Sequence, residues 1–270
     1  MLTREAVEYP PSSNTLVDGA RFFMAAIRDV GRATILIFKA MLGAVTLFRP
    51  RARRVWIEQM FTAGIKSLPI ITVVGLFTGM ILALQTGLEL RRYNQEVYIG
   101  SAVMVSLLRE MGPFMTALIL AASVGSSMAA QLGTMTVNDE IAALETMSID
   151  PVRFLMTPRL IALTIMTPIL SFYNCLVGVL GGGLVGLTQL NVAWSQYITT
   201  ALDFARSKDL HVGLFKAVLF GIIIAGVSCY EGFTATQGAV GVGQATRRSV
   251  ITSFLLILVV GYLVTRFFYI

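Results

Sequence analysis

Residues 67–88 read SLPIITVVGLFTGMILALQTGL, a stretch without a charged side chain. A helix that crosses a bilayer needs about 20 predominantly apolar residues. The stretch is therefore predicted to be a transmembrane span. The basic run Arg51-Ala-Arg53-Arg54 precedes it, and the polar segment 91–96 follows it. Because Lys and Arg collect on the cytoplasmic side of membranes, this span is predicted to run outward.

The composition of the whole chain agrees with a membrane protein. Of its 270 residues, 56% are hydrophobic and 13% are charged, and the mean hydropathy is +0.76. Soluble domains carry roughly 25% charged residues. The net charge of +6 is attributed to arginines at the membrane surface rather than to nucleic-acid binding. One histidine and two isolated cysteines predict neither a metal site nor a disulfide framework.

Three regions are predicted along the chain. Residues 1–16 form a polar tail, and 51–270 form the transmembrane domain. Residues 17–50 form an amphipathic helical region with a basic stripe, which suits a helix lying in the membrane interface. The alternative for this region is a first span at 33–48, although that run is short and contains Lys39.

Four further spans are predicted, with an external amphipathic helix at 191–210 and a cytoplasmic loop over Gly238–Arg248. The predicted spans cover residues 99–137, 159–190, 212–230 and 250–270. Fourteen Lys and Arg residues fall in segments predicted to be cytoplasmic and five in external segments. This asymmetry predicts a cytoplasmic N-terminus and an external C-terminus. The run 99–137 is longer than a bilayer requires, so part of it must project or line a cavity.

Arg109 and Glu110 lie inside that long apolar run, followed by Gly112 and Pro113. Proline removes a helical hydrogen bond, so a break or kink is predicted there. Ionisable residues at membrane depth usually face a cavity or a partner. Two interpretations stay open: a polar patch in an outward-opening cavity that meets a lipid headgroup, or a structural bridge to another helix. Lys216 is interpreted as a boundary residue that snorkels to the surface.

Glycines recur at four-residue spacing in two predicted spans. Gly75 and Gly79 lie in the first span, and Gly178, Gly182 and Gly186 in the third. Small residues at this spacing let helix backbones approach closely, so these glycines are predicted to serve helix packing. The chain has no Walker A motif. It is therefore predicted not to be an enzyme, and a partner would have to hydrolyse any ATP.

The segment from Asn138 to Met147 is predicted to be a short cytoplasmic helix capped by Asn138. Acidic residues at its start suit the helix dipole. Such a helix could dock into a partner groove, and the alternative is an ordinary surface helix. The residues assigned to it are Asn138, Asp139, Glu140, Ile141, Leu144, Glu145 and Met147.

Several motifs resemble the family of MlaE-type permeases over about residues 50–270. They are Ser106–Pro113 (SLLREMGP), Glu140–Pro151 (EIAALETMSIDP) followed by Pro158-Arg159, Phe77–Leu82 (FTGMIL) and Ala245–Arg248 (ATRR). The resemblance implies an all-α integral membrane protein. Its parts would be an N-terminal interfacial helix, five transmembrane helices, a cytoplasmic coupling helix and a periplasmic amphipathic helix.

The resemblance also implies partners and a site. It implies a homodimer in the bacterial inner membrane, a cytoplasmic ABC ATPase that binds ATP and Mg, a periplasmic MCE-domain protein and in some systems a small STAS-domain protein. The implied substrate is phospholipid, and the segment 138–147 would be the ATPase-coupling helix. The residues implied to line an outward lipid pocket are Leu82, Leu90, Tyr93, Arg109, Glu110 and Met111.

The chain departs from the family pattern near the cytoplasmic end of the second span. Ser123 stands where many relatives have arginine, and Gln131 where they commonly have glutamate. Asn138-Asp139-Glu140 replaces a Thr-Glu-Gln type of sequence. The first two departures are interpreted as the joint neutralisation of a charged pair. The leading hypothesis is the permease subunit of an ABC phospholipid transporter, and the alternatives are a stand-alone secondary carrier or a membrane scaffold.

Overall fold

The computed structural model describes residues 31–43 and 50–270, which are helical and contain no strand within these ranges. The predicted tail 1–16, and residues 17–30 and 44–49 of the predicted interfacial region, lie outside the described residues. Residues 31–42 form helix α1. Leu36 and Ala40 are buried in the core, whereas Phe38 and Leu42 are exposed. This short helix therefore has two apolar sides. Leu36 and Ala40 face the protein core, and Phe38 and Leu42 face away from it.

Within the described residues, five helical runs are long and apolar enough to cross a membrane: Val55–Arg91, Glu96–Val137, Val152–Gln189, Ser207–Phe233 and Gly238–Tyr269. The chain is thus an all-α multi-pass membrane protein. Its helices are α2 (Pro50–Ala63), α3 (Leu68–Arg91), α4 (Ile99–Ser106), α5 (Gly112–Leu120), α6 (Ser126–Val137), α7 (Glu140–Thr146), α8 (Thr157–Gln189), α9 (Trp194–Phe204), α10 (Ser207–Phe233) and α11 (Gly238–Tyr269).

The two short helices α7 and α9 lie at opposite ends of the bundle, because α7 connects the second and third runs and α9 connects the third and fourth. We refer to these two ends as the α7 end and the α9 end. A large apolar cluster contains buried residues of α1, α5, α6, α8 and α10. A second cluster, nearer the α9 end, contains residues of α3, α4, α8 and α9.

The predicted loop over Gly238–Arg248 is wrong, since these residues form the first turns of α11. The turn before the helix is made by Gln237 and Gly238, which have φ values of 66° and 63°. Glycine is required at position 241, because a Cβ atom there would lie 1.2 Å from the Thr236 carbonyl oxygen. The fourth span also begins earlier than predicted, at Ser207 rather than 212, so that Asp209 belongs to the spanning helix.

Helices α3 and α8 pack against each other at backbone distance. The buried side of α3 repeats every four residues as Ile71, Gly75, Gly79, Ala83 and Gly87. A Cβ atom on Gly79 would lie 1.8 Å from the Gly178 carbonyl oxygen. Glycines permit this approach because their backbone carries no side chain.

The glycines farther along α8 accommodate α9. A Cβ atom on Gly182 would lie 2.6 Å from the Tyr197 hydroxyl, and one on Gly186 would lie 3.6 Å from the Tyr197 ring. The Tyr197 hydroxyl donates a hydrogen bond to the Val179 carbonyl oxygen at 3.1 Å. Burial raises the pKa of Tyr197, so the phenol keeps the proton that it donates. The three glycines spaced by four residues in α8 therefore contact two neighbouring helices. Gly178 lies against α3, and Gly182 and Gly186 lie against α9.

Replacing Tyr197 with phenylalanine is expected to destabilise the protein by about 1 kcal/mol, because the buried Val179 carbonyl loses its extra donor while the ring packing remains. Thermal unfolding in detergent measures the effect. Tyr98→Phe provides the control, since the Tyr98 side chain is exposed. Equal melting temperatures for the two variants would contradict a stabilising role for the Tyr197 hydroxyl.

The long second run is a single helical path with two π-helical turns, Leu107–Met111 and Ala121–Gly125. Its first part, α4, packs along α9, where a Cβ atom on Gly100 would lie 2.2 Å from the Tyr197 carbonyl oxygen. The part of this run that exceeds the length of a single span therefore packs against α9 at this end of the bundle.

Candidate functional site

Arg109 and Glu110 lie in the π-helical turn Leu107–Met111, and α5 begins immediately after it with Gly112 and Pro113. Of the predicted break or kink, a break does not occur, because the chain remains helical through this point. The wider π turn accommodates the proline instead. Such single π turns inside α-helices are frequent at functional sites.

Side chains from other helices satisfy the backbone carbonyls of this turn. Pro113 has no N–H to donate to the Arg109 carbonyl four residues earlier. The Lys216 ammonium donates to that carbonyl instead, at 2.8 Å. In the same way, Asn174 donates to the Gly112 carbonyl oxygen at 3.2 Å and the Cys175 thiol to the Leu107 carbonyl oxygen at 3.4 Å. The π turn is therefore held from α8 and α10.

Lys216 is buried, with 1% of its side chain exposed. Besides the Arg109 carbonyl, its ammonium donates to Glu110 Oε1 at 2.6 Å and to Thr265 Oγ1 at 2.7 Å. The Thr265 hydroxyl donates in turn to Glu110 Oε1 at 2.5 Å. All three protons of the ammonium are engaged, so the prediction that Lys216 snorkels to the surface is wrong.

Arg109 forms the second ion pair of the site, with Asp209. Its Nε and Nη2 donate to the two carboxylate oxygens at 2.7 and 3.3 Å. The Tyr269 hydroxyl donates to Asp209 Oδ1 at 2.6 Å, and the Arg109 guanidinium lies 4.5 Å from the centre of the Tyr269 ring. Asp209 is 1% exposed, whereas 37% of the Arg109 side chain is exposed. The guanidinium is thus fixed on one side and open on the other.

We call these six residues the charged cluster: Arg109, Glu110, Asp209, Lys216, Thr265 and Tyr269. It contains two cations and two anions, and it joins the π turn to α10 and to the last turns of α11. The structure supports the interpretation of Arg109 and Glu110 as a bridge, and their contact with a lipid headgroup stays a prediction. The two residues bridge to other helices through buried partners, and their own side chains remain 37% and 42% exposed.

Sequence reasoning missed Asp209, Thr265 and Tyr269 as members of this cluster, and it misplaced Lys216. A signal for the two charged partners is present in the sequence. Asp209 and Lys216 are seven residues apart in α10, a spacing that puts both on one face of a helix. Their charges are opposite to those of Arg109 and Glu110. The sequence contains no comparable signal for Thr265 and Tyr269.

The apolar residues expected around a lipid pocket fall into two groups. Leu82, Leu90 and Met111 are partly buried and pack against the second apolar cluster. Tyr93 lies beyond the end of α3 and is 73% exposed. Three of the four apolar positions therefore pack against one cluster, which also contains Leu107 and Leu108 of the turn that carries Arg109 and Glu110.

The expected coupling segment forms α7, but its first residue and its cap differ from prediction. Asn138 ends α6, and Asp139 precedes Glu140 with a φ of 59° and no side-chain capping bond. Ile141 is buried and Leu144 packs against the large core, whereas Met147 is 69% exposed. Ile141 and Leu144 therefore face the core, whereas Met147 faces outward. Glu140, Glu145 and Met147 form the outer surface of this segment.

The two departures in the second span do not contact each other. Ser123 donates to the Ile119 carbonyl oxygen at 2.6 Å. Gln131, two helical turns later, accepts from Nη2 of the buried Arg159 at 3.4 Å. Position 131 therefore pairs with α8 in this chain, and the joint neutralisation of a charged pair at positions 123 and 131 stays a prediction.

Among residues 31–43 and 50–270, no group of three or more His, Cys, Asp or Glu side chains lies close enough to hold a metal ion. The acidic residues of the charged cluster accept hydrogen bonds from Arg, Lys, Thr and Tyr side chains instead.

Comparison with known proteins identifies the family. Residues 56–267 match the family model described as Permease MlaE. A probable ABC transporter permease protein of Rickettsia prowazekii is 40% identical over 213 residues, covering 79% of this chain and 82% of the relative. A probable ABC transporter permease protein of Rickettsia felis is 38% identical over 251 residues, with coverage of 89% and 96%.

A third relative carries a more specific name. The intermembrane phospholipid transport system permease protein MlaE of Haemophilus influenzae is 34% identical over 242 residues. The match covers 88% of this chain and 91% of the relative. Together with the five membrane-spanning runs, these matches show that the chain belongs to the MlaE permease family.

Proposed function

We propose that this chain is the membrane subunit of an ABC transporter that moves phospholipid. The observation that carries the proposal is the charged cluster at the α9 end, in a family whose Haemophilus member is named for intermembrane phospholipid transport. Arg109 and Glu110 directly follow Leu107 and Leu108, which belong to the apolar cluster that Leu82, Leu90 and Met111 pack against. A phospholipid combines the same two features, a charged headgroup and apolar chains.

The proposal includes the partners and the setting. The chain acts as a homodimer in a bacterial inner membrane, with a cytoplasmic N-terminus and a periplasmic C-terminus. A separate ATPase binds ATP and Mg at the α7 end, and a periplasmic MCE-domain protein, with a small STAS-domain protein in some systems, completes the complex. The geometry of α7 supports the ATPase contact. Its buried Ile141 anchors the helix in the core, while Glu140, Glu145 and Met147 are exposed for a partner.

Replacing Glu140 and Met147 together, as Glu140→Lys with Met147→Ala, is expected to lower the ATPase activity of the complex about tenfold. Both side chains are exposed on α7, and loss of a contact worth about 1.4 kcal/mol corresponds to this factor. The measurement is ATP hydrolysis by the complex reconstituted in liposomes. The double variant Thr134→Ala with Thr236→Ala is the control, since both residues are exposed outside α7. Unchanged hydrolysis would exclude α7 from the ATPase contact.

The same preparation separates the alternatives. A stand-alone secondary carrier would transfer lipid along an ion gradient without an ATPase, and a membrane scaffold would transfer none. If no ATPase co-purifies and lipid transfer does not depend on ATP, the proposed function fails.

A further inference from the structure

The exposed side of the charged cluster presents one cation and one anion next to each other. Arg109 and Glu110 are consecutive in the π turn, and about two fifths of each side chain is exposed. Their partners Asp209 and Lys216 are 1% exposed. The buried members therefore hold the exposed ones in position, and only the exposed ones can meet a ligand.

The hydrogen bonds leave one free group on each exposed residue. Arg109 uses Nε and Nη2 for Asp209, and its Nη1 has no partner in the described part of the chain. Glu110 accepts both of its hydrogen bonds on Oε1, from Lys216 and from Thr265, and Oε2 has no such partner. The site therefore offers one cationic donor and one anionic acceptor.

The charge balance of the cluster favours a ligand that carries both signs. Asp209 compensates Arg109, and Lys216 compensates Glu110, so that the four charges sum to zero. An anionic group at Nη1 is attracted by Arg109 but repelled by Glu110 beside it. If the ligand also carries an ammonium, the Glu110 carboxylate attracts that ammonium. Repulsion of the wrong ligand is a common basis of binding specificity, and here it would disfavour anions that lack an ammonium. Lys208, 5.2 Å from the Tyr269 ring centre, is an exposed cation at the edge, where salt screens its charge.

We propose that the charged cluster selects zwitterionic phospholipid headgroups, with the phosphate bound by Arg109 Nη1 and the ammonium by Glu110 Oε2. Headgroups that carry a phosphate without an ammonium bind more weakly. This inference rests on the proposed function and adds the headgroup class to it. Tyr269 and Thr265 contribute by positioning, since the Tyr269 ring supports the guanidinium and Thr265 orients Glu110 Oε1.

The test offers the purified complex equal amounts of phosphatidylethanolamine and phosphatidylglycerol in mixed micelles, and mass spectrometry quantifies the lipid that is retained. The wild-type complex is expected to enrich phosphatidylethanolamine about two- to fivefold, the range for a partly exposed charge pair. Glu110→Gln is expected to abolish or reverse the enrichment, because it removes the ammonium partner and leaves Lys216 uncompensated. Asp203→Asn, which neutralises an exposed acid in α9, is expected to keep it.

The outcomes separate this inference from the function on which it rests. Equal retention of both lipids by the wild type, or unchanged enrichment in Glu110→Gln, overturns headgroup selection and leaves lipid transport standing. Retention of neither lipid overturns the proposed function itself.

A second measurement on the wild type remains valid if Glu110→Gln does not fold. Glycerophosphoethanolamine should displace retained lipid better than glycerophosphoglycerol or inorganic phosphate, and equal displacement by all three overturns the selection.

Discussion

Replacing Lys216 with methionine is expected to destabilise the folded protein by about 3 kcal/mol, because the three hydrogen bonds of its buried ammonium are lost. The Lys216 ammonium donates to the Arg109 carbonyl oxygen, Glu110 Oε1 and Thr265 Oγ1. Methionine fills a similar volume but donates nothing. The Arg109 carbonyl then loses the Lys216 donor, and Pro113 has no N–H to replace it.

Thermal unfolding of the purified protein in detergent measures this effect, with Lys208→Met as the matched control. Lys208 lies in the same helix, one residue before Asp209, and its side chain is exposed. The control is expected to melt within a few degrees of the wild type, since substitutions of exposed side chains usually change stability by no more than about 0.5 kcal/mol. A Lys216→Met variant as stable as the control would show that the cluster is not a structural tie between the π turn, α10 and α11.

Replacing Gly79 with alanine is expected to cost about 3 kcal/mol or to prevent assembly of the bundle. The added methyl group would lie 1.8 Å from the Gly178 carbonyl oxygen and 2.7 Å from the Gly178 Cα. Both atoms belong to the backbone of α8, so no side-chain rotation relieves the overlap and the two helices must separate. Overpacking commonly costs about 1–3 kcal/mol, and more where the backbone itself must move.

Gly243→Ala is the matched control for this prediction. Gly243 is also within a helix, α11, but a Cβ atom there meets no atom within 4 Å. Alanine is favoured over glycine in a helix by up to about 1 kcal/mol, so this variant should be neutral or slightly more stable. The yield of monodisperse protein and its melting temperature distinguish the variants. Equal behaviour of the two alanine variants would contradict a tight α3–α8 contact.

The number and order of the spans could be predicted because apolar length is a local property of the sequence. Each spanning helix must satisfy its own backbone and present apolar side chains to lipid, so runs such as 67–88 are visible without knowledge of their neighbours. Helix ends were predicted less well. Residues 238–248 are predicted to be a loop but are helical, and glycine is required at position 241 because the Thr236 backbone lies close to it.

The candidate site was likewise predictable only in part from local sequence. Arg109 and Glu110 were noticed because charges inside an apolar run are exceptional, and Pro113 marked the disturbed turn. The packing of α10 and α11 determines which residues form ion pairs and hydrogen bonds with Arg109 and Glu110. Asp209 belongs to a segment predicted to be external, and Lys216 is predicted from the sequence to snorkel to the surface. Neither partner could be paired with its counterpart without the packing of α10 against the π turn.

The sequence by itself determined that this protein is an all-α membrane protein with five spans, because about 20 apolar residues suffice to cross a bilayer regardless of other contacts. Only the tertiary structure decided that the charges within the second span are compensated. Residues about 100 positions apart in the chain form the Arg109–Asp209 and Glu110–Lys216 pairs. The physical reason is that a charge at membrane depth requires a partner, and the packing of the helices determines which partner lies within reach.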